Sequence, residues 1–184
     1  MNIQTRKATK EDAALIAQVV AMAIGDESAT DYCGKDYLNV LEEIVRMKDT
    51  QYSYRNTIIA ECDGNPAGAL VGYDGGMLHP LRKQTLAVIH RYNPGLVMAE
   101  DETLAGEFYM DSLGVLPKFR GAGVGKALLL AMREKAFAEG HERVGLLVDF
   151  ENPKAERLYL SIGFERVDTK VFLGHRMWHL QCCK

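Results

Sequence analysis

Hydrophobic and polar residues follow two distinct patterns along this chain. Apolar residues recur at every third or fourth position in four segments, and this spacing predicts amphipathic helices over residues 9–24, 36–48, 78–92 and 127–138. Asn152 and Pro153 predict the start of a fifth helix that runs to Ser161. Short apolar runs predict strands over residues 3–8, 57–62, 67–73, 106–115, 143–150, 164–173 and 174–180. The polar segment 25–35 is expected to be a loop.

The order of these elements predicts the fold class. Residues 57–62 and 67–73 flank a turn cluster and predict a hairpin. Strand, helix, strand, helix and two closing strands then follow from residue 106 onward. We therefore expect an α/β (α+β) fold with a mixed, mainly antiparallel sheet. The length of 184 residues, with no repeat or linker, suits one domain over residues 1–184.

A glycine-rich turn, Arg120 to Lys126, stands between the strand 106–115 and the next helix. Its three glycines, at every second position, let backbone N–H groups point into one space without obstruction by a Cβ atom. The helix that follows adds unpaired amides and the positive end of its dipole. The turn therefore predicts a site for a phosphate-bearing ligand. The alternative is a turn that only packs the helix close to the sheet.

Two familiar phosphate loops do not match this turn. A P-loop needs a glycine where Arg120 stands and a hydroxyl residue where Ala127 stands. The Rossmann fingerprint needs a last glycine where Lys126 stands. The pattern that remains is Arg-x-x-Gly-x-Gly.

Composition narrows the class of partner. A net charge of −3 disfavours a broad surface for nucleic acid or anionic membrane, so we expect neither partner. No apolar run approaches the length of roughly 20 residues that a membrane span needs, and the N-terminus lacks the apolar core of a signal peptide. The four cysteines and five histidines have no zinc spacing. We therefore expect free thiols, no metal site and a cytoplasmic location.

A second motif lies downstream of the glycine-rich turn. The stretch from Asn152 through Ala155, Leu158 and Tyr159 to Gly163-Phe164 matches Asn-x-x-Ala-x-x-Leu-Tyr-x-x-x-Gly-Phe. With Arg-x-x-Gly-x-Gly before it, this motif resembles the GNAT superfamily of N-acetyltransferases. The resemblance covers residues 106–166, roughly a third of the chain.

This resemblance implies a sheet with helices on both faces and a central parallel strand pair that splays apart. Acyl-CoA, with acetyl-CoA as the donor, would lie between the two strands. The turn would hold the pyrophosphate, and backbone groups of Leu113 and Val115 would pair with the pantetheine arm. Asn152 would contact the pantetheine or cap its helix, and Arg120 would pair with a phosphate or only flank the helix. The implied cofactor-binding residues are Leu113, Val115, Arg120, Gly121, Ala122, Gly123, Val124, Gly125, Lys126 and Asn152.

The resemblance also implies two catalytic side chains. Tyr159 stands at the motif tyrosine, where a phenol donates to the departing thiolate; the alternative is an aromatic packing residue. Members with a clear base carry Glu or His where this chain has Tyr109 or Asp111, and a phenol is a poor base at neutral pH. Asp111 is therefore the candidate base, unless it orders loops or holds a substrate ammonium. On an alternating strand Tyr109, Asp111 and Leu113 would share one face, with Glu107 as a reserve base.

The implied function is acetyl transfer from acetyl-CoA to a primary amine by direct attack in a ternary complex. A small-molecule or peptide amine is the expected acceptor. The missing glutamate at position 109 leaves a non-catalytic acyl-CoA-binding module as the alternative. Tyrosines and carboxylates between residues 26 and 54 form either the acceptor wall or a packed loop. The helix 78–92 covers the acceptor site or forms a homodimer contact, and the acidic patch 100–102 is interpreted as a solvated loop.

Overall fold

A seven-stranded sheet runs through the centre of the molecule in the computed structural model, which describes residues 2–98 and 100–184. The strands are β1 (Ile3–Lys7), β2 (Thr57–Cys62), β3 (Asn65–Asp74), β4 (Phe108–Val115), β5 (Arg143–Asp149), β6 (Glu165–Phe172) and β7 (His175–Cys183). Their order across the sheet is β1-β2-β3-β4-β5-β7-β6. All neighbouring pairs are antiparallel except β4 and β5, which confirms the mixed, mainly antiparallel sheet.

The described residues form six α-helices around the sheet. They are α1 (Ala13–Ile24), α2 (Asp26–Cys33), α3 (Tyr37–Arg46), α4 (Leu78–Ile89), α5 (Val124–Ala138) and α6 (Pro153–Ser161). None of the helices within residues 2–98 and 100–184 has the length and hydropathy that a bilayer crossing requires.

Helix α2 corrects the expected loop over residues 25–35. Its sequence is polar overall, but Ala29, Tyr32 and Cys33 fall on one side of a helix and are buried in the core formed with α1 and α3. Gly25 and Gly34 flank it with φ values of 85° and 84°. Tertiary burial of one short apolar stripe therefore stabilises a helix that composition alone does not predict.

Helices pack on both faces of the sheet, as the resemblance implies. Helices α1 and α3 share a core with Ile59 and Val71, which project from one face. Helix α5 buries a stripe that includes Leu128 and Met132 against the opposite face. On the first face, a Cβ at Gly114 would lie 3.0 Å from the side chain of Val19. The missing side chain thus lets α1 approach β4 closely.

Strands β4 and β5 pair over only two positions. Phe108 lies opposite Val144 and Tyr109 opposite Gly145, and the strands then separate. Beyond these positions, neither strand has a partner across the gap among the described residues. This confirms the splayed central pair and leaves a wedge with two unpaired strand edges.

A buried carboxylate holds the closed end of this wedge. Glu107, directly before β4, accepts hydrogen bonds from Thr103 Oγ1 at 2.7 Å, His179 Nε2 at 2.9 Å and Gln181 Nε2 at 2.7 Å. Burial alone would raise the pKa of Glu107, but the bonds from His179, Thr103 and Gln181 outweigh it and the pKa is lowered. Glu107 therefore links the start of β4 to β7. Glu107 is not among the residues that line the cavity between β4 and β5, which argues against its expected role as a reserve base.

The absence of a side chain at Gly145 makes room for this carboxylate, because a Cβ there would overlap Glu107. We expect Gly145→Ala to lower the free energy of unfolding by about 2–4 kcal/mol, since Glu107 would lose its donors while remaining buried. Urea denaturation measures the change. Gly95→Ala is the control, because no atom lies within 4 Å of its added Cβ. Equal losses in both variants would contradict this role of Glu107.

Candidate functional site

The wedge between β4 and β5 opens into a cavity of about 910 Å³. The glycine-rich turn bounds one end, and α2 with residues 51–52 and 96–98 bounds the other. The predicted site residues that line this cavity are Asp111, Leu113, Val115, Arg120, Gly121, Gly123, Val124, Gly125, Lys126, Asn152 and Tyr159. Ala122 is not among them, because it packs against the core beneath α5.

The backbone of the turn Arg120–Lys126 is arranged to bind an anion. Gly121 and Gly123 have φ values of 80° and 91°, a left-handed conformation that residues with a Cβ rarely adopt. Among the described residues, no acceptor pairs with the amides of Gly121 or of residues 123–126. The N-terminus of α5 lies at the same place, so unpaired amides and the helix dipole both favour negative charge there.

Gly125 provides a separate test of whether a ligand fits beside the turn. A Cβ at this position would lie 3.7 Å from Leu158 and 3.7 Å from Val115, which both line the cavity. Because Gly125 has no side chain, the space between these residues stays open. A ligand backbone can therefore approach the first turn of α5.

Cationic side chains gather at this end of the cavity. Arg120, Lys126 and Lys154 all line it. Arg120 Nε donates to the backbone oxygen of Val115 at 3.2 Å. This oxygen, which was expected to pair with the pantetheine arm, therefore already accepts a hydrogen bond within the protein. Asn152 Oδ1 accepts from the amide of Ala155 at 3.1 Å, which confirms its capping role on α6.

A β-bulge in β4 changes the predicted alternation of side chains. Ser112 lies opposite Val71 and Met110 opposite Gly72, so Asp111 is an extra residue without a partner on β3. Tyr109 packs near α4, whereas Leu113 packs with the core beneath α5. The expectation that Leu113 shares a face with Tyr109 and Asp111 is therefore wrong, because one inserted residue reverses the alternation.

The bulge presents Asp111 to the cavity in a half-buried position. Tyr73 Oη donates to its Oδ2 at 2.8 Å, and Ser112 Oγ donates to its Oδ1 at 2.7 Å. Burial raises the pKa of Asp111 to about 6, and the nearby charge of Glu102 adds to this effect. The two hydroxyl donors and the charge of Arg82 oppose the rise. A base with this pKa is ionised at neutral pH and still accepts a proton readily.

A buried network behind Asp111 was not anticipated from the sequence. Glu102 is 4% exposed, accepts from Gln51 Nε2 at 2.9 Å, and forms an ion pair with Arg82. Arg82 also binds Asp101 at 2.8 Å. The interpretation of residues 100–102 as a solvated loop is therefore wrong for Glu102. The sequence contained one indication of this network: Arg82 lies on the apolar side of α4, and a buried arginine there needs a charged partner.

Tyr159 lies on α6 and lines the same cavity as Asp111. Burial raises the pKa of this phenol to about 12, so it keeps its proton throughout the physiological range. Its ring lies 6.2 Å from that of Phe164, the last residue of the second motif. This arrangement suits a proton donor rather than a base.

The expected acceptor wall is only partly formed by the predicted residues. Asp31, Tyr32 and Tyr52 line the cavity. Tyr37 instead donates to Asp26 at the surface, at a distance of 3.1 Å. Fewer of the predicted aromatic and acidic residues line this end of the cavity than expected. Glu102, from the segment before β4, also lines it.

Comparison with known sequences identifies the family. The sequence model of the Acetyltransferase (GNAT) family matches residues 27–164, which is most of the chain. The mycothiol acetyltransferase of Frankia casuarinae is 34% identical over 125 residues, which are 67% of this chain and 31% of that protein. The chain thus spans about a third of the length of this curated relative.

Comparison with solved structures supports the same conclusion. A crystal structure of an acetyltransferase is 33% identical, has a TM-score of 0.83, and is covered over 98% of both chains. The PaiA N-acetyltransferase of Thermoplasma acidophilum, solved in complex with coenzyme A, shares the fold with a TM-score of 0.59, 16% identity and full coverage of both chains. With its splayed strand pair, glycine-rich turn and matching family model, this chain belongs to the GNAT family of acetyltransferases.

Proposed function

We propose that this acetyltransferase moves an acetyl group from acetyl-CoA to a primary amine, by direct attack in a ternary complex. One observation carries the proposal. A single cavity joins an anion-binding turn at one end to a carboxylate of raised pKa, Asp111, at the other. The seven-stranded sheet, which extends from Ile3 to Cys183, supports the further proposal of one acyltransferase domain over residues 1–184.

The donor end suits two parts of acetyl-CoA, the charged pyrophosphate and the neutral pantetheine arm. Unpaired amides at Gly121 and residues 123–126 would hold the pyrophosphate, with Arg120 and Lys126 as cationic partners. The unpaired edge of β4 would pair with the amide groups of the pantetheine arm, as an added strand does. Support for this donor also comes from the neighbour that was solved with coenzyme A.

The chemistry requires three proton movements. The attacking amine must be neutral, and Asp111 would take its proton directly or through one water. As the new C–N bond forms, a backbone N–H near Leu113 would stabilise the charge on the carbonyl oxygen. The C–S bond then breaks, and Tyr159 would donate its proton to the CoA thiolate. The nitrogen would lose its second proton as the amide forms, and this proton would restore the Tyr159 phenol, directly or through water.

The acceptor end favours a cationic molecule. Asp31, Glu102 and Asp111 line it, and Arg82 offsets part of their charge. An amine that arrives as an ammonium ion is attracted to this end, and it loses its proton to Asp111 before attack. Small amines, amino acids and peptide N-termini all fit this description, as does a lysine side chain.

A panel of these four amine classes tests the function, with release of free CoA from acetyl-CoA as the readout. CoA release that depends on the amine supports the proposal. Binding of acetyl-CoA without release for any amine would favour the alternative of an acyl-CoA-binding module. No binding at all would contradict both.

Replacement of Gly123 by Glu tests the donor site. We expect acetyl-CoA to raise the melting temperature of the wild type, because a ligand that binds the native state stabilises it. Gly123→Glu should lose this shift, since a carboxylate would occupy the anion site. Gly140→Glu is the matched control: Gly140 has φ of 95° and follows the opposite end of α5. If both variants lose the shift, the turn does not bind the donor specifically.

Tyr159→Phe tests the proton donor. We expect kcat to fall by about 100-fold, as is typical for loss of a positioned acid, while the affinity for CoA changes little. Steady-state kinetics and calorimetric titration with CoA separate the two effects. An unchanged kcat would remove Tyr159 from the mechanism.

Asp111→Asn tests the base through its pH dependence. Asp111 must be ionised to accept a proton, so kcat/KM of the wild type should rise with pH through about 6. In the variant, the rise of kcat/KM near pH 6 should disappear, and only the rise that follows deprotonation of the acceptor amine should remain. At pH 7 the value of kcat/KM should be about 100-fold lower than in the wild type. An acid limb near pH 6 that persists in Asp111→Asn would exclude this residue as the base.

A further inference from the structure

Tyr73 bridges two carboxylates at the acceptor end of the cavity. Its hydroxyl lies 2.8 Å from Asp111 Oδ2 and 3.4 Å from Glu102 Oε1. A phenol has one hydrogen, so Tyr73 can donate to only one of them at a time. The shorter distance assigns this hydrogen to Asp111.

The side chain of Gln51 fixes this arrangement. Its Nε2 donates to Tyr73 Oη at 3.2 Å and to Glu102 Oε1 at 2.9 Å, so its two hydrogens hold both acceptors in place. Its Oε1 is buried without a partner among the described residues, and Gln51 is 2% exposed. An unpaired buried oxygen is destabilising, which indicates that the amide is oriented by Tyr73 and Glu102.

Protonation of Asp111 would leave this arrangement short of an acceptor. Once Asp111 has taken a proton on Oδ2, the hydrogen of this new O–H and the hydrogen of the Tyr73 hydroxyl point toward each other. The conflict ends if Tyr73 turns its own hydrogen to Glu102 and accepts from Asp111. Every O–H in the group then has an acceptor in both protonation states.

We propose that Tyr73 is a two-position hydrogen-bond switch, which donates to Asp111 when that residue is ionised and to Glu102 when Asp111 is protonated. Tyr73 and Glu102 are thus positioning residues that act through Asp111. The proposal rests on the proposed function, since it assumes that Asp111 receives the proton of the amine. No covalent bond forms or breaks beyond that transfer, and Arg82 remains paired with Glu102 throughout.

The groups around Asp111 come from several elements. The titratable or charged groups that face it are Tyr73 on β3, Arg82 on α4, Tyr109 on β4, Tyr32 on α2, and Tyr52 and Glu102 in the connecting segments. Burial raises the pKa values of the four tyrosines, so they remain neutral between pH 4 and 8 as Asp111 titrates. The coupling between Asp111 and Glu102 can therefore be measured without interference from them.

Carbon-13 NMR of the aspartate carboxyl carbons, in protein without ligands, measures the titration of Asp111 directly, and Asp111→Asn identifies its signal. The wild-type midpoint should lie near pH 6. Glu102→Gln should lower it by about one pH unit, because both the like charge and the second acceptor position of Tyr73 are altered. In protein that already carries Tyr73→Phe, Glu102→Gln should lower the midpoint of Asp111 by less than half of that amount.

Equal shifts in the two backgrounds would overturn the switch, since the coupling would then act only through space. Asp101→Asn is the matched control, because Asp101 also pairs with Arg82 but does not contact Tyr73. It should move the midpoint by less than about 0.3 unit. A shift as large as that of Glu102→Gln would also overturn the proposal.

A second pair of variants covers the case in which Glu102→Gln does not fold. Ser112 donates to Asp111 from the other side, and no second acceptor for it is found among the described residues. Ser112→Ala should raise the midpoint of Asp111 clearly, whereas Tyr73→Phe should raise it less because Tyr73 serves both states. A larger rise for Tyr73→Phe than for Ser112→Ala would contradict the switch.

The NMR result does not depend on catalysis, so the two proposals fail separately. If the protein acetylates an amine but Glu102→Gln causes equal shifts in the two backgrounds, the proposed function is supported and the switch is excluded. A protein with the predicted coupling but no CoA release retains the switch as a property of the site and loses the proposed function. In active protein, the acid limb of kcat/KM should follow the NMR midpoint in every variant.

Discussion

The hydrogen bonds of Glu107 hold the structure together where the sheet is weakest. Strands β4 and β5 pair over two positions only, so their ladder supplies little of the contact between the two halves of the sheet. Donors from Thr103, His179 and Gln181 converge on one buried carboxylate beside the paired positions. This linkage lets the strands separate farther along, and the separation creates the cavity.

The separation leaves backbone groups unpaired on the facing edges of β4 and β5. In a closed sheet such groups would be satisfied by a neighbouring strand, and buried without a partner they would be destabilising. Within a cavity of about 910 Å³ they remain open to water or to a ligand. The same feature that weakens the sheet therefore provides a binding surface for an extended molecule.

Charge divides the cavity into two ends. Arg120, Lys126 and the N-terminus of α5 make the end beside the turn electropositive. Glu102 and Asp111 give the opposite end acidic character, which Arg82 moderates. An anionic donor and a cationic acceptor would thus be drawn to different ends and meet between β4 and β5. Burial at the acidic end raises the pKa of Asp111, and the hydrogen bond from Tyr73 opposes part of this rise.

The sequence alone determined the features that depend on local spacing. The Arg-x-x-Gly-x-Gly turn, the Asn152–Tyr159 motif and most helices and strands could be identified because their patterns lie within a few neighbouring residues. Only the tertiary structure decided the role of Glu102, because its partners Arg82 and Gln51 are 20 and 51 residues away. The same holds for the bulge at Asp111, which arises from a register shift against β3. Contacts between distant segments leave no periodic signal in the sequence. The turn could therefore be predicted from the sequence, whereas the network around Asp111 could not.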